Sequence, residues 1–142
     1  MLKRREVLLA GATALVAGSS MAAEKATAPA KSPAGSALAK EAAECVRIGE
    51  TCLQHCLDLL ATGDTSLGEC AKSVTQMLAI CKAVGPMAEA GSKHLPALAR
   101  VCRDVCSDCE TACRKHETHH AVCKQCAEAC ARTVAEAQKI AG

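Results

Sequence analysis

The chain has 142 residues, of which 12 are cysteine and none is Phe, Tyr or Trp, a length that suits one domain with a tail. Half of the residues are apolar, which excludes a disordered chain, while the missing aromatics exclude base-stacking platforms, aromatic cages and pockets for flat cofactors. The formal charge of +2 comes from Lys3, Arg4 and Arg5 against Glu6, leaving 14 basic and 14 acidic residues from position 24 onward; a neutral, charge-mixed body excludes nucleic acid and anionic lipid as partners.

The basic start precedes an apolar run from Val7 to Ala17 and the small-residue stretch Gly18-Ser19-Ser20-Met21-Ala22-Ala23. This order describes a bacterial export signal over residues 1–23, with an apolar run too short to span a bilayer. Lys-Arg-Arg-Glu-Val-Leu-Leu resembles a twin-arginine signal without the usual Phe; a general secretory leader or an uncleaved anchor are the other readings. The expected location is the periplasm, with no membrane attachment after leader cleavage. Residues 24–35, rich in Ala, Lys and Pro, read as a flexible linker. A twin-arginine route carries folded proteins, so folding would occur in the reducing cytoplasm with thiols free.

Residues 36–142 predict an all-α fold. A first helix runs from about Ser36 to Ala61, with Glu41 and Glu44 near its start, and Thr62-Gly63-Asp64 ends it. The second opens on the capping-box pattern Ser66-Leu67-Gly68-Glu69 and stops near Gly85-Pro86. The third starts between Ser92 and Pro96 and runs to about His116; the fourth spans about Thr118 to Ile140. Short connections predict an antiparallel up-down-up-down four-helix bundle.

The cysteines are Cys45, Cys52 and Cys56 on the first helix, Cys70 and Cys81 on the second, Cys102, Cys106, Cys109 and Cys113 on the third, and Cys123, Cys126 and Cys130 on the fourth. Their steps within helices are 7 and 4, then 11, then 4, 3 and 4, then 3 and 4, and each step returns to nearly the same helix face. Four sulfur stripes therefore face the bundle axis, where Leu ordinarily sits. Val74 and Met77 fill the second stripe between its two cysteines, Leu38 and Leu59 flank the first, and Val134 continues the fourth.

A core of small apolar thiols accounts for one or two such positions but not for twelve. A disulfide framework suits an exported chain, but same-face helical neighbours hold their Cβ atoms about 5–6 Å apart, against about 3.5–4.5 Å in a disulfide. A metal ion bridges that gap with two metal–sulfur bonds. Soft thiolates select Cu(I), Zn(II) or iron–sulfur clusters, and the loop-borne runs that hold clusters are absent. One Cu(I) per thiolate cancels the buried charge, whereas an isolated four-thiolate zinc site keeps two negative charges. Copper is the better match.

With Cys-x-x-x-Cys pairs at Cys52/Cys56, Cys102/Cys106, Cys109/Cys113 and Cys126/Cys130 behind a twin-arginine-like leader, the chain resembles the bacterial copper storage proteins. The resemblance implies multiple Cu(I) ions bound by inward cysteines, storage or sequestration with later supply to cuproenzymes through copper-accepting proteins, and a homotetramer. It also implies methionines near the bundle mouth; the first helix has none, and Leu59, Gly63 and Leu67 follow His55 instead.

Antiparallel order gathers His55, His116, His119 and His120 at one end and leaves His94 near the other. His116 and His119, nearly in line with Cys113 and Cys123, are the foremost candidates for a copper mouth, followed by His55 and His120; solvated loop histidines are the alternative. Met77 reads equally as a thioether ligand or as core filler. No oxyanion hole, substrate pocket or orienting third group accompanies Cys113/His116, so an enzyme is not expected. The competing functions are a disulfide-stapled exported bundle and a metallothionein-like zinc buffer.

Overall fold

The computed structural model describes residues 32–142; the export-signal reading and residues 24–31 of the linker lie outside the described residues. Four helices account for most of the rest: α1 (Pro33–Ala61), α2 (Gly68–Glu89), α3 (Leu95–Arg114) and α4 (Ala121–Ala141). They form a ring in which α1 packs on α2 and α4, and α3 on the same two helices.

Paired residues run in opposite senses along neighbouring helices. Glu41, Cys45 and His55 of α1 meet Thr133 and Cys130 of α4 and His120 at its cap, in that order. Cys70 and Cys81 of α2 face Cys113 and Cys106 of α3, and Arg100 and Arg103 of α3 reach Ala141 and Gln138 of α4. Each stripe is thus brought to the axis from all four sides.

Helix α1 starts three residues before the expected Ser36. Pro33 needs no N–H partner in a first turn, and the Ser32 hydroxyl accepts from Gly35 N at 3.0 Å, so Ser32 caps a helix that takes in the end of the expected linker. The capping box at Ser66 does not form. Leu67 occupies the cap position without a side-chain bond, because Ser66 N donates instead to Asp64 Oδ1 (2.9 Å) and Glu69 pairs with Lys72 (2.8 Å).

Helix α2 also passes through Gly85-Pro86. Proline removes one hydrogen bond, but Val84 and Ala88 on either side are buried and hold the segment on the bundle. The helix ends instead where Gly91 adopts φ +61° and Ser92 N closes back on Met87 O at 3.0 Å, a left-handed glycine termination. Helix α4 begins at Ala121, after a turn in which His119 N and His120 N both bond His116 O.

The core has three zones along the axis. The middle holds all twelve cysteines, each fully buried except Cys81 at 2 % exposure. One turn beyond Cys45, Cys81, Cys102 and Cys130 the axis is filled by Ala42, Val84, Ala99 and Thr133, then by Leu38, Ala88, Leu95 and Ala137, all buried. At the opposite end Leu67 is fully buried, whereas Leu59 and Leu60 are only partly covered. On α4 the stripe continues through Thr133 and Ala137 rather than through Val134, which is half-buried. The step of three after Cys130 keeps closer to the axis, and the Thr133 hydroxyl is satisfied by Ala129 O (3.0 Å) and Glu41 O (3.3 Å).

Candidate metal centre

The sulfurs form one connected column. Four sets of three thiols have all their Sγ atoms within 4.8 Å of one another: Cys45/Cys81/Cys106, Cys109/Cys126/Cys130, Cys52/Cys113/Cys126 and Cys52/Cys56/Cys70. Cys126 and Cys52 each belong to two sets, so the last three sets are continuous. Cys45 and Cys130, 3.8 Å apart, join them to the first. Cys102 attaches through Cys106 at 3.9 Å, and Cys123 interacts with Cys52 and Cys70. Cys70 and Cys113 lie 3.4 Å apart across α2 and α3.

All twelve cysteines are free, and the pairs Cys70/Cys113, Cys81/Cys106, Cys45/Cys130 and Cys102/Cys106, at 3.4 to 3.9 Å, fall within the about 4.6 Å that two metal–sulfur bonds of about 2.3 Å can span. The helical steps produce this directly. Residues three or four apart project from one face toward the N-terminus of their helix, so Cys102/Cys106 and Cys126/Cys130 stack along the axis while opposing helices interleave.

Crowding many thiols in a dry core sorts them into hydrogen-bond acceptors and donors. Bonds from Cys113 and Cys52 hold the Cys70 thiol down at about 3, and bonds from Cys106 and Cys81 hold Cys102 down at about 4. Cys126 is lowered in the same way, chiefly by Cys109 and Cys113. Cys130 is pushed up, chiefly through its contact with Cys106, and so is Cys113, chiefly through Cys109. Cys56 and Cys123, near the end of the column, are pushed up to about 12 mainly by burial, because a thiolate out of water costs more than a thiol.

Beyond Cys56 and Cys123 stand the histidines. His55 Nε2 and His120 Nδ1 lie 2.9 Å apart with ring centroids at 5.0 Å, and the His116 ring is 6.4 Å from that of His120. All three are half-buried. His119, expected beside His116, is exposed and outside these ring contacts; the turn before α4 directs the chain so that its neighbour His120 faces His55 across the end of the bundle. The sequence offered no signal that favoured His120 over His119, because the expected fourth helix opened at about Thr118 and the cap at His120 comes from the turn. His94 is exposed at the other end, at the α3 cap.

Met77 lies in the column as well. It is fully buried, and Cys45 Sγ donates to its Sδ at 3.3 Å.

Among the described residues no helix is long and apolar enough to cross a membrane. Residues 31–142 match the family model described as "Csp: Copper storage protein". No curated protein matches the chain.

Proposed function

The chain belongs to the copper storage protein family, and from that premise we propose that it is a non-enzymatic Cu(I) store whose twelve core cysteines are the ligands. The connected column of buried free thiols carries the reading. Each Cu(I) that binds either displaces a thiol proton or neutralises a thiolate and leaves a neutral Cu–S unit, so the column fills without accumulating buried charge. A water-poor core also keeps the loaded thiolates away from oxidants.

His55, His116 and His120 form the mouth: imidazole nitrogens at the edge of the column catch ions, which then pass to Cys56, Cys123 and Cys70. His119 supplies at most an outer exposed contact. The twin-arginine-like leader of residues 1–23 supports export to the periplasm of a chain already folded, and residues 32–142 constitute the storage unit. A homotetramer that hands copper to cuproenzymes completes the proposal, by analogy with the family.

The test is anaerobic purification, a thiol count after unfolding, and titration of Cu(I) against a competing chelator. Near-stoichiometric tight uptake per cysteine is the expected result. Few free thiols would point to a disulfide-stapled bundle, and saturation at a few zinc ions with weak copper binding would point to a zinc buffer; either overturns the proposal.

A further inference from the structure

The sulfur column has one irregularity. Between Cys70 and Cys81 helix α2 contributes no cysteine over ten residues, and there the axis receives Val74 and Met77, both fully buried. Met77 Sδ sits 3.3 Å from Cys45 Sγ, beside a thiol that belongs to the Cys45/Cys81/Cys106 set and approaches Cys130 at 3.8 Å.

Opposite Met77, helix α1 carries Gly49 in its interior. Glycine there costs about 1 kcal/mol of helix propensity relative to Ala, and its φ is not in the left-handed region, so no turn requires it. A Cβ at position 49 would run into Met77 Cε and would stand 3.0 Å from Leu78 Cδ2. The missing side chain is the space that lets the thioether reach the axis.

We propose that Met77 is a copper ligand: its thioether and the Cys45 thiolate together hold one Cu(I), in a space that Gly49 keeps open. The inference rests on the Cu(I)-storage reading and adds a thirteenth sulfur to it. A separation of 3.3 Å lies within the about 4.6 Å that two metal–sulfur bonds can span, and the three rotatable bonds of Met allow the pair to open around an ion. In the metal-free state the Cys45 S–H points at the thioether. When Cu(I) binds, the S–H bond breaks, the proton leaves to solvent and a Cu–S bond takes its place, with no change of oxidation state. The thioether carries neither proton nor charge, so it adds a soft donor without adding an anion to the core, and bridges the stretch where α2 has no thiol.

The test uses the full chain with its methionines replaced by selenomethionine, loaded anaerobically with Cu(I), and X-ray absorption at the selenium edge. Copper backscattering at about 2.4 Å from selenium is expected, and it should vanish in Met77→Leu, a volume-conserving change that leaves the bundle folded by circular dichroism. Gly49→Ala is the second variant. It should keep the fold, displace the methionine tip and abolish the same signal with every cysteine in place. Copper titration of either variant should end about one Cu(I) per chain earlier, or with the last ion held more weakly. Full loading on thiolates with no copper at selenium, or a signal unchanged in Met77→Leu, overturns the role of Met77 while leaving copper storage standing; failure to take up Cu(I) at all overturns the storage reading itself.

Discussion

The two ends of the bundle are built from different chemistry around the same column. Past Cys45, Cys81, Cys102 and Cys130 the axis is closed by two buried layers of Ala, Val and Leu, with the hydrogen-bonded Thr133 among them. The rim there is tied by Ser32 at the α1 cap and by Arg100 Nη1 donating to Ala141 O (3.2 Å). Past Cys56, Cys70, Cys113 and Cys123 come half-buried histidines, a loop leucine and partly covered Leu59 and Leu60. An apolar plug offers a metal ion no ligand, whereas half-buried imidazoles at 2.9 Å from one another offer nitrogen donors. On the proposed reading one end serves stability and the other copper traffic, and each outcome below would blur or sharpen that contrast.

The largest effect should come from pH on the copper-free protein. Cys56 and Cys123, both near the histidine end, have folded values of about 12 against an ordinary 9.0. A raised folded value means that their contribution to stability is complete below about pH 9 and is lost as pH climbs toward 12. The melting temperature of the apo-protein should therefore fall steeply across that window, and amide exchange should quicken first around Cys56 and Cys123. Toward the plug Cys102, held down at about 4, does not titrate in it, whereas Cys81 and Cys130 are also pushed up and add to the same loss without ionising first. Copper-loaded protein, whose ligands have already lost their protons, should show little of this drop; an equal drop would remove the asymmetry.

Leu38→Ala in the plug should come next, lowering the unfolding free energy by about 2–5 kcal/mol in urea denaturation. Copper uptake should keep its rate; faster uptake would mean that ions also pass the apolar end. Replacing His55, His116 and His120 together by Ala should slow uptake from a chelator about tenfold, equivalent to about 1.4 kcal/mol lost at the mouth. The final copper content should stay the same. Stopped-flow kinetics with unchanged rates would return these residues to ordinary surface histidines. The smallest change is Ser32→Ala, which should cost about 1 kcal/mol through the lost cap, read as a modest fall in melting temperature with uptake untouched.

Much of this was legible in the chain order of residues. Steps of 3, 4, 7 and 11 between cysteines place sulfurs on one face of each helix whatever the partners are, because the period of the α-helix is local. That is why the all-α bundle and the inward thiols could be read directly, and why the resemblance carried by the Cys-x-x-x-Cys pairs agrees with the family match. Helix ends were less readable. Ser66 had the right neighbours for a capping box, but Asp64 competes for its N–H, and a proline at 86 could be carried because Val84 and Ala88 are buried beside it.

The finer details of the site depend on which helices meet. No spacing in α2 or α1 reveals that Gly49 makes room for Met77, since the two lie on different helices and touch only through packing. Likewise, His119 and His120 are adjacent in sequence, and only the turn between α3 and α4 decides which of them faces His55. The sequence by itself determined that sulfur would line the core, because helical periodicity and the polarity of each face are properties of single segments. The tertiary structure alone decided which sulfurs become neighbours, which end is sealed and which histidines gather, because register between antiparallel helices is settled by packing volumes and not by any one helix.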